Sequence, residues 1–241
     1  MKYRIALVEY LNTLPFSEGL RMTGLDQQMD VQHVSPSQCA LLFQQGEVDI
    51  SLCPVGALED MPPHEIFGEF CIGADGDVET VVLLSHVPIH KIEKVRLDEH
   101  SKTSNKLVQI LADRYWQTNW KYYFDPKEEQ PLSCVMIGDK VFEAKKKYPF
   151  RNDLAGEWKA MTSLPMVFAV WIARPGISQE IILDMDQAFK QGIDFVRSPE
   201  STIPEWQKKY LLNNISYSLD RRKKEAMQLF LQYAEKLVAI S

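Results

Sequence analysis

The 241-residue chain has no hydrophobic run long enough to cross a bilayer. Its longest apolar stretch, Met166-Val167-Phe168-Ala169-Val170-Trp171-Ile172-Ala173, falls far short of the ~20 residues a spanning helix needs and reads as a strand buried on both faces. No membrane partner is expected. Cysteine is sparse: Cys39, Cys53, Cys71 and Cys134 are widely separated and never spaced Cys-x-x-Cys, which argues for core thiols over a disulfide framework or a zinc site. The five histidines form no metal-ligand pattern, since Pro88 between His86 and His90 breaks the helix their spacing would require. No metal ligand set is therefore read. Positive charge is not in excess either. A formal charge of −6 argues against a nucleic-acid surface, and Lys145-Lys146-Lys147 and Arg221-Arg222-Lys223-Lys224 read as solvated helix ends. The N-terminal segment has only four apolar residues before Glu9, too few for a secretory signal, so the expected compartment is the cytoplasm. Repeats and low-complexity linkers are also missing.

What is present, 45% hydrophobic and 25% charged residues, fits one large globular domain or two smaller lobes. Ile5-Ala6-Leu7-Val8 reads as a buried strand. Ser35-Pro36-Ser37-Gln38 opens a helix with a capping-box pattern, Gly46 stops it, and a strand follows from Val48 to Cys53. This β-α-β-α-β alternation predicts a mainly parallel sheet covered by helices. A strand over residues 80–84 ends at Ser85-His86-Val87-Pro88, where the first crossing between lobes is expected. A second α/β unit includes Val95-Arg96-Leu97, a helix with Leu107, Val108, Leu111 and Tyr115 on one side, and strands over 120–124 and 133–137. The return crossing is expected near 169–174. Beyond it, Ile182, Met185, Phe189, Ile193 and Val196 form one helical stripe, and Ala226, Phe230, Tyr233, Leu237 and Ile240 another. Residues 1–84 and 175–241 then make one discontinuous lobe and 85–174 an inserted second lobe. A cleft between two such lobes is suited to closing around a small solute.

Two strand-to-helix junctions carry candidate site residues. In Tyr10-Leu11-Asn12-Thr13-Leu14-Pro15-Phe16, Pro15 suits a first helical turn, leaving the Asn12 amide either to cap the helix or to contact a ligand. In Leu97-Asp98-Glu99-His100-Ser101-Lys102-Thr103-Ser104, three hydroxyls gather where helix N–H groups are exposed, which suits a carboxylate; a simple N-cap is the other reading. Asp139 follows a strand at Ile137-Gly138 and is a candidate base, with helix capping as the alternative.

These segments, together with Gly46-Glu47-Val48-Asp49-Ile50, Ile137-Gly138-Asp139, Asp153-Leu154-Ala155-Gly156-Glu157-Trp158 and Thr162-Ser163-Leu164-Pro165, closely resemble the chorismate dehydratases of the futalosine route to menaquinone. The resemblance runs through most of the chain. It implies an α/β, two-lobed type II periplasmic-binding-protein-like fold with a central ligand cleft and two interlobe crossings. Against the family pattern, this chain has Thr80 where serine is common, Lys102 for arginine, Ser163 for glycine and Met166 for phenylalanine. Thr80 keeps a hydroxyl, whereas Lys102 keeps charge without the planar fork of arginine.

The resemblance further implies conversion of chorismate, a small dianion, to 3-[(1-carboxyvinyl)oxy]benzoate with loss of water and no redox cofactor. Asn12 and Asp139 are the candidate catalytic residues. Tyr10, Thr80, Ser101, Thr103, Ser104, Leu164 and Pro165 are the candidate substrate contacts. No residue in the motifs is an unambiguous base, which favours a substrate-assisted elimination with Asn12 orienting the reacting portion. A non-catalytic solute receptor and the related naphthoate synthase of the same pathway are the competing readings. An effector-binding regulator is less favoured, because no helix-turn-helix segment is evident. Oligomeric state is not legible.

Overall fold

The computed structural model describes residues 2–237; Ile240, expected on the last helical stripe, lies outside them. The first strand, β1 (Arg4–Val8), is apolar throughout its buried part and is pinned at its start by Asp49, which accepts from the Arg4 N–H at 3.0 Å and from its guanidinium at 2.6 and 3.1 Å. A one-turn 3-10 helix (Leu11–Thr13) leads into α1 (Leu14–Thr23), then α2 (Leu25–Gln28), β2 (Asp30–Val34), α3 (Pro36–Gln45) and β3 (Ile50–Pro54). As expected, Ser35 and Gln38 close a capping box at the start of α3, and Gly46 ends it in the left-handed region. A 3-10 segment (Val55–Asp60) and β4 (Glu65–Ala74) complete the first passage. The chain continues with β5 (Val81–Ser85), β6 (Lys94–Arg96), α4 (Lys102–Arg114), β7 (Lys121–Tyr123), β8 (Ser133–Ile137), α5 (Val141–Ala144), β9 (Phe150–Asp153) and α6 (Leu154–Thr162). It then returns through β10 (Met166–Ala173), α7 (Gln179–Arg197), α8 (Glu205–Asn213), β11 (Ser216–Ser218) and α9 (Arg221–Ala234).

Two mixed sheets result. The first has the order β11-β4-β10-β3-β1-β2 and the second β7-β6-β8-β5-β9. β1 runs parallel to β2 and β3, as the alternating pattern predicts, but β10 pairs antiparallel with both β3 and β4. This pairing corrects two expected assignments. β5, expected to close the first lobe at residue 84, pairs with β8 and β9 in the second sheet. β10, expected in the inserted lobe through residue 174, is a central strand of the first sheet. The passages between sheets therefore lie in residues 75–80 and 163–165. Both misplaced strands are buried along their whole length, so hydrophobicity reports that they are interior without reporting which sheet they enter.

The first passage is anchored by Asp153, the N-cap of α6. Its carboxylate accepts from the N–H groups of Val78 (3.1 Å), Glu79 (2.6 Å), Ala155 (3.1 Å) and Gly156 (3.2 Å). Burial nevertheless pushes its pKa up to about 6. On the far side of the first sheet, α1 lies directly on α7 through glycines: a Cβ on Gly192 would stand 1.8 Å from the Pro15 carbonyl oxygen, and one on Gly19 would stand 1.9 Å from that of Ala188. Trp171 of β10 stacks on Phe189 of α7 with centroids 4.8 Å apart, and Phe16 of α1 packs against both rings. This close packing sets the height of α1, and hence of the turn that precedes it.

The second passage explains one departure from the family pattern. Ser163 is the left-handed C-cap of α6, with φ of 61°. Glycine adopts that conformation without steric penalty. Relief of the left-handed penalty, roughly 1–2 kcal/mol, exceeds the entropy glycine adds to the unfolded chain, roughly 0.5–1 kcal/mol, so Ser163→Gly should raise the midpoint of urea unfolding with unchanged slope; a lower midpoint would show that the serine side chain makes a compensating contact.

Candidate active site

Between the sheets lies a narrow cavity of about 50 Å3. Tyr10, Asn12, Thr80, Ser101, Thr103 and Ser104 all line it, so six of the sequence-predicted residues, from both lobes, converge on one space. Leu52, Ile72, Val78, Ile137 and Phe168 supply apolar walls between them.

Asn12 sits in the 3-10 turn that follows β1. Its backbone carbonyl accepts from the Tyr217 hydroxyl at 3.0 Å, and Thr13 closes the turn by donating its hydroxyl to the Val8 and Tyr10 carbonyls at 2.5 and 2.8 Å. No side chain caps α1, so the capping role open to Asn12 in the sequence is not the one it plays. Its Oδ1 is buried without a hydrogen-bond partner among the described residues. A buried amide oxygen left unpaired costs about 1–3 kcal/mol, a penalty that a ligand donor in the cavity would remove.

On the opposite wall, Ser101 caps α4 by accepting from the Ser104 N–H at 3.1 Å, and its hydroxyl donates to the Ser104 Oγ at 2.8 Å. The Ser104 hydroxyl proton remains available to an acceptor in the cavity. The Asn105 N–H is satisfied by the Ser101 carbonyl, so the N–H groups of Lys102 and Thr103 are the orphan donors of this helix start. The Thr103 hydroxyl, expected to bind substrate, is occupied structurally: it accepts from the Gly56 N–H and donates to the Phe168 carbonyl, both at 3.0 Å. Thr80 Oγ1 lies 2.7 Å from the Tyr210 hydroxyl, and either can be the donor. Lys102 extends away to Asp60, 2.9 Å distant and exposed, where it ties α4 to the Val55–Asp60 segment.

Three expected residues do not line the cavity. Asp139 lies behind Tyr10, where its carboxylate oxygens accept from the Leu11 N–H at 3.2 and 3.1 Å. Leu164 and Pro165 shape the second passage: the Leu164 N–H donates to the Thr162 hydroxyl, and the Pro165 carbonyl accepts from the Trp158 indole. Strand ends and helix starts supply much of the lining, but which side of Tyr10 each group meets depends on the crossing of the two lobes. Tyr210 and Tyr217 were missed because they act from α8 and β11, more than a hundred residues from their partners. Pro36, at the capped start of α3, also lines the cavity; its helix was legible and its position in the site was not.

Tyr10 is the only ionisable side chain in the lining among the described residues. Burial, reinforced by Asp98, Glu9 and Asp139, raises its phenol pKa, which keeps it neutral. The cavity thus offers hydrogen-bond donors and one unsatisfied amide oxygen, with neither a formal positive charge nor a base on its surface.

Two α/β sheets, two passages and a cavity between them at strand ends define a periplasmic-binding-protein-like fold. The alkanesulfonate-binding protein SsuA from Xanthomonas axonopodis pv. citri, solved bound to MOPS, is similar at 14% identity over 99% of this chain and 94% of that one, with a TM-score of 0.62. A Candida albicans gene product described as having the generic periplasmic binding protein fold is similar at 10% identity over 99% and 92%, with a TM-score of 0.68. Protein AF1704 from Archaeoglobus fulgidus is similar at 14% identity over 97% of both chains, with a TM-score of 0.75. The family described as menaquinone biosynthesis matches residues 3–236, and this chain belongs to it.

Because the Thr103 hydroxyl joins the lobes, Thr103→Val should cost about 1–3 kcal/mol by leaving the Gly56 N–H and the Phe168 carbonyl unpaired. Thermal unfolding checks this; an unchanged melting temperature would mean that the bridge contributes nothing.

Proposed function

We propose that this protein is a chorismate dehydratase, forming 3-[(1-carboxyvinyl)oxy]benzoate and water in menaquinone biosynthesis. The observation that carries the reading is the cavity lining: no carboxylate, imidazole, guanidinium or ammonium group is present among its described residues, and its one phenol is held neutral. An elimination here must take its proton acceptor from the substrate. Chorismate brings one.

In this reading the ring carboxylate lies against the start of α4. It accepts from the Ser104 hydroxyl and the orphan N–H groups, and the helix end contributes about 0.3–1 kcal/mol, up to ~2 when partly buried. The enolpyruvyl carboxylate removes the proton from the ring carbon bearing the enol ether. The electron pair passes into the system conjugated with the ring carboxylate, the neighbouring C–O bond breaks, and the departing hydroxide takes the proton to leave as water. The ring becomes aromatic. Asn12 accepts from the leaving hydroxyl's O–H on the amide oxygen that the protein leaves unpaired and turns its amide N–H groups to the enolpyruvyl arm, so its contribution is geometry and electrostatics. The apolar walls hold the ring between these two polar ends and restrict competing rearrangements.

The same lining also suits a receptor that binds a dicarboxylate without reacting, and sulfonate-binding proteins share the fold. Incubation with chorismate, followed by mass, separates the two: the enzyme yields a product lighter by one water. Unchanged chorismate that nevertheless raises the melting temperature would identify a receptor. Asn12→Ala should lower kcat by about 10²-fold or more while binding changes little. With no titrating group on the cavity wall, kcat should stay flat from about pH 7 to about pH 9; a basic limb in that range would point to a protein-borne acid.

A further inference from the structure

The 3-10 turn that carries Asn12 has no cap of its own. Tyr10 occupies its N-cap position and makes no side-chain capping bond. The turn's first donor, the Leu11 N–H, is instead satisfied by Asp139, 128 residues away on the other lobe, with both carboxylate oxygens in reach at 3.2 and 3.1 Å. Next to it, the Tyr10 ring lies flat over Gly138, so close that a Cβ there would stand 2.8 Å from the ring. Gly138 has φ of 74° and donates its N–H to the Thr80 carbonyl, which fixes the 138–139 turn to the second sheet. Tyr10 in turn is shared by two spaces. It lines the inner cavity and also an outer groove with Glu9, Leu14, His33, Asp139 and Trp206.

Asp139 is not held there by a cation. Its neighbour Lys140 is turned away to the buried carboxylate of Asp98 at 2.8 Å, and no ion pair to Asp139 is found among the described residues. Half-buried, with the Leu11 N–H as its partner, its carboxyl pKa is raised by desolvation. A carboxylate in that position gains one hydrogen bond when the lobes meet and loses water. It serves the turn it caps more than it serves the overall stability of the fold.

We infer that Asp139 is a positioning residue: by capping the Leu11 N–H across the lobe junction, it sets the Asn12 turn and seats Tyr10 as the wall between outer groove and inner cavity. Asn12 is then correctly aimed only when the two lobes are together, which couples closure to chemistry. Asp139 neither touches substrate nor takes the proton. This inference rests on the proposed dehydration only for its kinetic half, since the cap itself exists without ligand.

The test compares Asp139→Asn, which keeps an acceptor oxygen of the same shape, with Asp139→Ala, which removes it. In unliganded protein, hydrogen exchange at the Leu11 amide should accelerate on the order of tenfold in Asp139→Ala and stay near wild type in Asp139→Asn. With chorismate, Asp139→Ala should lose about 10²-fold in kcat through misplacement of Asn12, with KM little changed, while Asp139→Asn retains near-normal kcat. Equal loss of kcat in both variants would mean that the carboxylate's charge or basicity is required and overturns the inference. So would unchanged Leu11 exchange in Asp139→Ala, or accelerated exchange with normal turnover. Should wild-type protein leave chorismate intact, the exchange measurement alone decides the cap, separating its failure from failure of the dehydratase reading.

Discussion

The site depends on one buried hydroxyl. Thr103 takes the Gly56 N–H from one side and gives its proton to the Phe168 carbonyl on the other, so that the start of α4 is joined to the Val55–Asp60 segment and to β10 at once. Gly56 permits this contact because it has no Cβ; one would stand 2.8 Å from the Thr103 backbone. Two exposed ion pairs, Lys102–Asp60 and Lys106–Glu59, lie along the same seam, and exposed pairs contribute little by comparison. With α4 held this way, Ser101, Thr103 and Ser104 at its start line the cavity. The opposite wall, built on Tyr10 and Asn12, is backed by Asp139, whose half-buried bond to the Leu11 N–H is one that water could replace. One side of the cleft is therefore stitched and the other is latched.

An electrostatically quiet cavity follows from this arrangement. Three charged side chains near the site are engaged outside it: Lys102 with Asp60, Lys140 with Asp98, and Asp139 with a backbone N–H. Under the proposed dehydration, anion recognition falls to helix N–H groups and hydroxyls, which stay preorganised and do not titrate. A site of this kind stabilises charge that the ligand itself carries and redistributes. That matches an elimination in which one substrate carboxylate takes the proton and the other absorbs the electron pair.

Much of this was legible along the chain. The run Ile5-Ala6-Leu7-Val8, the capping box at Ser35 and the hydroxyl cluster at 101–104 are local signals, set by burial of apolar side chains and by capping of helix N–H groups within a few residues. They located β1, α3 and α4 and brought Asn12 and Ser104, which line the cavity, into view as candidates. The two strands assigned to the wrong lobes, β5 and β10, are uniformly buried and carry no alternation that would reveal a sheet face. Their pairing is decided by partners as distant as β3 and β8.

The roles of individual polar groups divide along the same line. Sequence by itself determined the family, the α/β class, and the fact that amides and hydroxyls gather at strand-to-helix junctions, because each of these is written in spacings of a few residues. Only the tertiary structure decided that Asn12 is left unpaired in the cavity, that Thr103 is consumed as a bridge and that Asp139 caps a turn on the far lobe. A hydroxyl or carboxylate has few hydrogen-bonding positions, and whether they meet a ligand or the protein depends on which backbone groups the crossing of the lobes brings within about 3 Å.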